Sequence, residues 1–176
     1  MPTLLQISQL GHPILRGKAK EVEDIHDPDI QTLIDDMMYT CQDAEGLGIA
    51  APQVYQPLRL FIISSRPTPR YPNALVMDPK AIINPTIVGY SDETETLWES
   101  CLSIPGIFGR VERPKSLTIS FTNRNGHQEE ETLDDLAARV CLHEYDHIEG
   151  TIFLDLTKST DLATTKEQAR IAKATA

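Results

Sequence analysis

The chain has 176 residues, with 16 Lys+Arg against 26 Asp+Glu and a net charge of −10 with His neutral. A composition 40% apolar and 24% charged excludes a disordered chain. A chain of this length buries about 70% of its unfolded surface around one core, so one domain is expected over residues 1–176. The acidity argues against nonspecific adhesion to nucleic acid or to anionic membrane.

Met1–Gln6 lacks a basic region followed by a long apolar run, so no signal peptide is visible. The first readable element is a helix. Asp27 can cap it, Pro28 suits the first helical position, and Asp29 favours the positive helix start. Ile30, Leu33, Ile34, Met37, Met38 and Cys41 then form one apolar stripe facing a core. The helix is expected to end near Glu45-Gly46. The segment Gly46 to Gln53 holds two glycines, small residues and a Pro that cannot donate a hydrogen bond. Arg59 to Ser64 reads as a buried strand, Ser65 to Asn73 as a Pro-rich loop, and Ala81 to Asn84 as a short strand halted by Pro85.

Asp92 to Glu99 carries four carboxylates and reads as a solvated edge. Leu117, Ile119 and Phe121 alternate with polar neighbours as in a half-buried strand; Asn125-Gly126 marks a hairpin, with Gln128 to Thr132 as the return strand. From Asp134 the period becomes helical through Leu136, Val140, His143 and His147, and Gly150 stands where a helix stops. Ile152, Phe153 and Leu154 are read as a last strand, and Asp161 to Ala176 as a polar C-terminal helix or tail. The expected class is α+β: antiparallel or mixed strands around a central metal-binding HExxH helix, with a helix near each end. No stretch reaches the ~20 apolar residues of a membrane span. The odd count of Cys41, Cys101 and Cys141 rules out a disulfide framework and suits a reducing cytoplasm.

His143-Glu144-Tyr145-Asp146-His147 is the sharpest chemical signal. Helix positions i and i+4 share a face, so both imidazoles can reach one ion, with Glu144 beside them. A third ligand must be His, Cys, Asp or Glu. His12, His26 and His127 sit in turn or capping contexts. Cys101 lies between the acidic stretch and Pro105-Gly106; composition alone favours reading it as a small buried hydrophobe. Cys41 lies on the apolar stripe of the first helix. Cys141 is two residues before His143, about 200° around the helix from it.

Three segments together resemble the peptide deformylase family. The motif G-x-G-x-A-A-x-Q is matched by Gly46, Gly48, Ala50, Ala51 and Gln53. E-G-C-L-S is matched at Glu99, Cys101, Leu102 and Ser103, and Q-H-E-x-D-H at His143, Glu144, Asp146 and His147. Gly11 to Arg16 is similar to the family's usual opening, and the similarity runs from about Ile7 to Leu156. The resemblance implies one divalent metal ion per chain, held by Cys101, His143 and His147 with water in the fourth position. It implies Fe(II) first, with Zn, Ni or Co as alternatives, because sulfur and nitrogen ligands suit them all. It further implies that metal-activated water attacks the formyl carbon of N-formyl-methionyl peptides while Glu144 moves the proton to the departing amine. The Gln53 amide and the Leu102 backbone N–H would stabilise the oxyanion.

Gly46 and Gly48 would let backbone approach the substrate, and Leu47 would close an apolar pocket for the Met side chain. Arg139 and Val140 precede His143 by four and three residues and so border the metal, although a solvated face for Arg139 and core packing for Val140 fit the pattern equally. A structural ion pair of Arg113 with Glu99 or Glu45 is expected. Two residues depart from the family pattern: Ser100 where it has Gly, and Leu142 where it has Gln. They keep open a peptide- or metal-binding module with little turnover; a metalloamidase for another acyl group stands as a further reading. The nascent chain implies the ribosome as a partner; no direct nucleic-acid or membrane binding is expected, and a monomer is favoured.

Overall fold

The computed structural model describes residues 1–68 and 71–174. Its elements run α1 (Pro28–Asp43), β1 (Gly48–Ala50), β2 (Leu60–Ser65), β3 (Met77–Tyr90), β4 (Thr94–Cys101), β5 (Ile104–Pro114), β6 (Ser116–Thr122), β7 (Gln128–Asp134), α2 (Asp135–Ile148), α3 (Phe153–Leu156), β8 (Leu162–Thr164) and α4 (Thr165–Ala174). The class is α+β, with helices toward both ends and antiparallel pairing in both sheets. One sheet has the order β1-β2-β3-β6-β7 and the other β4-β5-β8.

The first helix starts as its sequence dictates. The Asp27 carboxylate accepts the Asp29 N–H at 2.8 Å, with Pro28 in the first turn. Ile34, Met37 and Cys41 are buried, and Ile30, Leu33 and Met38 pack partly against the same cluster as Ile49, Leu60 and Ile62. On the other side of the large sheet, Phe61, Ile63, Ile82, Leu117, Ile119 and Phe121 form a core with Leu136, Ala138, Cys141, Leu142 and Ile148 of α2. The helix stop predicted at Gly150 holds: its φ is +80°, and an added Cβ would lie 2.8 Å from the Arg16 carbonyl oxygen.

Three expectations are corrected and one is refined. The strand predicted to stop at Asn84 continues to Tyr90. Pro85 falls where the β3–β6 register shifts, and Asn84 adopts a φ of 49°, so the missing Pro N–H sits in a bulge. The acidic stretch runs into β4, an edge strand of the small sheet, and Asp92, Glu93 and Glu95 are exposed as expected, while Glu99 at its end is 5% exposed. The Ile152-Phe153-Leu154 run begins a one-turn helix. The Asp155 carboxylate accepts the Ile152 N–H at 2.9 Å, and Phe153 is buried with Cys101, Ile104 and Val111. The C-terminal segment first forms β8, which extends the small sheet through Phe108↔Ala163, and only then α4. Residues 69–70 of the predicted loop and 175–176 of the predicted helix lie outside the described residues. Among the described residues no helix is long and apolar enough to cross a membrane, and all three cysteines are free.

Candidate metal centre and cleft

The β4–β5 hairpin delivers Cys101. A register shift between Glu99 and Cys101 interrupts the ladder, and Cys101 pairs with Ile104 across a tight turn at Leu102-Ser103. Helix α2 delivers His143, Glu144 and His147, which are 9%, 3% and 1% exposed. One ligand atom each from Cys101, His143 and His147 lies within 4.8 Å of the others, all three residues being buried. The Cys101 Sγ to His147 Nε2 distance is 3.2 Å. Ligand bonds of ~2.1 Å to nitrogen and ~2.3 Å to sulfur would span such separations. The donor set therefore fits one divalent ion. Among the described residues no fourth His, Cys, Asp or Glu joins the group. Two buried atoms beside it, Glu144 Oε2 and His147 Nδ1, make no hydrogen bond to the described residues. A buried acceptor in that state calls for a donor from outside the chain.

Glu99 organises the surroundings. Its Oε2 lies 2.9 Å from His143 Nδ1, which leaves His143 Nε2 as the ring's ligand atom. Arg113 donates to both Glu99 oxygens at 2.9 and 3.0 Å and to Asp146 Oδ2 at 2.6 Å. Arg139 Nη1 donates to Glu99 Oε1 at 2.8 Å and to the Val111 carbonyl at 3.0 Å, and Nη2 to the Glu95 carbonyl at 2.7 Å. Two guanidinium groups thus face two carboxylates in a buried, charge-balanced cluster. The expected Arg113–Glu99 pair is present. Arg139 is not on a solvated face: it is 6% exposed.

Gln53 is held at the third corner. Its Oε1 accepts the Ala50 N–H at 2.8 Å, and its Nε2 donates to Ser103 Oγ at 3.1 Å and toward Cys101 Sγ at 3.4 Å. The N-terminal segment braces this corner, with Ser8 N–H on the Gln53 carbonyl at 2.7 Å and Leu10 N–H on the Ser103 carbonyl at 2.8 Å. Gly48 has a steric reason. A Cβ there would come within 2.5 Å of Glu144 Oε1 and 2.7 Å of its Cγ, so only Gly lets the carboxylate lie against β1.

Burial raises the Glu144 carboxyl, with Glu99 and Asp146 adding to the rise, to about 7. Burial would raise Glu99 too, but His143 and Arg113 hold it well below the ordinary carboxylate range. Burial depresses His147 well below its usual value, which keeps that imidazole neutral as a ligand must be. Burial opposes charge on His143 as well, but Cys101 and Glu99 outweigh it and push the ring up.

The group sits in a cleft of about 700 Å³. Every residue assigned to the site from sequence lines it, Gly46, Leu47, Gly48, Gln53, Cys101, Leu102, Arg139, Val140, His143 and Glu144, except His147, which lies behind the wall. Cys41 and Cys141 belong to the apolar cores and are not in the ligand group. His12 caps its own turn by accepting the Ile14 N–H, the His26 ring covers Gly126, and His127 is an exposed turn residue. The sequence reading missed Tyr71, Trp98, Leu136, Phe108 and Gln168 of the cleft wall. It also missed the role of Glu99 beside His143, whose signal was its place two residues before Cys101. Ser100 has no positive φ, so no strain attaches to it.

A family model described as polypeptide deformylase matches residues 4–163. "Peptide deformylase 2" of Nostoc sp. is 51% identical over 95% of this chain and 93% of its own length. "Peptide deformylase" of Pseudothermotoga lettingae is 39% identical over 88% of this chain and 84% of its own. Among solved structures, a class I type b peptide deformylase from Acinetobacter baumannii with Met-Ala-Ser bound superposes with a TM-score of 0.86 at 35% identity, covering 89% of this chain and 99% of that one. A peptide deformylase from Synechococcus elongatus in complex with actinonin gives 0.79 at 35% identity, covering 88% and 79%.

Proposed function

The chain belongs to the polypeptide deformylase family and removes the formyl group from nascent peptides; we propose that it does so with Cys101, His143 and His147 as the ligands of one divalent ion and Glu144 as general acid and base. The observation that carries this reading is the convergence of the hairpin sulfur and two α2 imidazoles at the cleft where Glu144 and Gln53 stand. When bound, the ion supplies Lewis acidity and lowers the pKa of water. Fe(II) is the first choice, and Zn, Ni and Co suit the same donors.

The chain's own groups do the rest. Glu144 takes the proton of the attacking water at its carboxylate and returns it to the departing amine nitrogen. Gln53 enters the reaction already oriented by Ser103 and Ala50; its amide N–H and the Leu102 backbone N–H face the developing oxyanion. Glu99, neutralised by Arg113 and Arg139, fixes the His143 ring. Gly46, Leu47, Arg139 and Val140 line the cleft and take the peptide and its Met side chain. Residues 1–176 act as one domain, in the cytoplasm, as a monomer meeting the chain at the ribosome.

Anaerobic reconstitution with Fe(II) or Ni(II), followed by formate release from a formyl-Met peptide, tests the reading. Turnover of the formyl peptide well above an acetyl counterpart is expected. A fully metal-loaded protein that releases no formate would overturn it.

A further inference from the structure

Helix α4 is patterned the wrong way round for a packing helix. Its only buried residue is Gln168, at 8% exposure, while Ile171, its one large apolar residue, is 42% exposed. A short helix held by tertiary packing ordinarily turns its apolar side inward. Gln168 faces the cleft that holds Cys101 and His143, and Thr165 and Ala172, three residues before and four after it on the same helix face, are exposed at the cleft's edge. The α4 backbone packs on β5 and β8, so this wall is independent of the one formed by α2.

The Gln168 carboxamide offers one acceptor and two donors. It makes no hydrogen bond with the described residues, yet its amide atoms are not sealed from the cleft. The residue is nine-tenths buried and its amide atoms reach only the cleft, so their hydrogen-bond partner must come from whatever fills the cleft. A primary amide complements a peptide unit in both directions, accepting its N–H or donating to its carbonyl. The reaction needs only the formyl group and the first residue at the metal end, so a peptide unit on the α4 wall would come from further along the substrate.

We propose that Gln168 binds a main-chain amide of the substrate beyond its first residue, which makes α4 part of the peptide-binding wall and favours longer formyl peptides. The proposal rests on the deformylase reading above. The test compares kcat/KM for formyl-Met-Ala-Ser with that for formyl-Met amide, using the metal-loaded wild type, Gln168→Ala and Gln168→Met. Gln168→Met keeps the side-chain volume and removes the hydrogen bonds. The three-residue to one-residue ratio is expected to exceed one in the wild type and to fall about three- to tenfold in both variants, the loss of one hydrogen bond. A ratio within twofold of wild type in Gln168→Met overturns the proposal, as does a wild-type ratio near one. Calorimetric binding of unformylated Met-Ala-Ser, expected weaker by the same factor in Gln168→Met, separates the two readings. Absence of formate release with this binding difference intact sinks the reaction assignment and leaves Gln168 supported. Normal formate release with equal binding sinks Gln168 alone.

Discussion

Gly48→Ala isolates the contact between β1 and the acid/base residue. A Cβ at position 48 would lie 2.5 Å from Glu144 Oε1, 2.7 Å from Cγ and 2.9 Å from Cδ, whereas ordinary contact begins at 3.4 Å. Glu144 is 3% exposed and meets open space only at the cleft, so any retreat carries the carboxylate out of its place there. The carboxylate must therefore retreat by roughly 1 Å or the strand must move. Overpacking of this kind costs about 1–3 kcal/mol, a fall in Tm of about 2–12 °C for a chain of this size. Misplacing a reacting group by about 1 Å costs about 100-fold in rate. Formate release is expected to lose about two orders of magnitude in kcat while metal content stays at wild-type level, because Cys101, His143 and His147 are untouched. Gly46→Ala is the internal control. Its nearest neighbours would be Cys41 Sγ at 3.1 Å, Leu102 Cδ1 at 3.2 Å and the Cys41 carbonyl oxygen at 3.3 Å, each of which need give only a few tenths of an ångström. A Gly48→Ala enzyme with full metal and kcat within threefold of wild type refutes this geometry, as does a Gly46→Ala enzyme that is worse.

Glu144→Gln is expected to retain metal and lose about 10²–10⁴-fold in kcat, the usual span for a proton-transfer group; metal analysis beside formate release checks both halves. Glu99→Gln removes the partner of two buried guanidinium groups and of the His143 ring. It is expected to cost about 3–5 kcal/mol in denaturant unfolding and to weaken metal affinity about 10–100-fold in a competition titration; an unchanged affinity would show that His143 needs no orienting partner. Burial first, and the Glu144 carboxylate second, push the Cys41 thiol up to about 12, against a smaller opposing effect of Arg66. A raised thiol pKa means less thiolate, so iodoacetamide at pH 8 is expected to leave Cys41 unmodified in the folded protein. Chelation is expected to make Cys101 the thiol that reacts, with Cys41 labelled only after denaturation; peptide mapping reads the sites, and early labelling of Cys41 counts against the burial argument.

The elements legible in the sequence are those whose period and caps agree. Asp27, Pro28 and the stripe from Ile30 to Cys41 specify α1 locally, and the spacing of Leu136, Val140, His143 and His147 specifies α2. The small sheet was illegible because its charges are paired out of view. Glu99 on β4 and Arg113 on β5 are 14 residues apart and neutralise each other only once the hairpin forms. Read singly, each looks solvated. Ile152-Phe153-Leu154 fits a strand or a helix equally by pattern, and the Asp155 carboxylate on the Ile152 N–H decides for the helix. The same closure decides Cys101. Its residue type fits a small hydrophobe, and only the register shift beside it brings the sulfur to the α2 imidazoles.

The two departures from the family pattern now have physical positions. Ser100 stands on β4 where the register shifts, exposed and without a positive φ, so a side chain in place of Gly brings no backbone strain. Leu142 is 6% exposed in the core that includes Ala50, Phe61 and Cys141, where an apolar side chain satisfies its surroundings and an amide would need a partner. A binding module would tolerate loss of the acid/base residue and its access. Here Gly48 leaves room for the Glu144 carboxylate, and Ser103 and Ala50 hold the Gln53 amide from both ends. Selection for peptide binding alone would require neither arrangement, so the substitutions bear on one cleft wall and on packing, while the groups assigned to turnover remain in place.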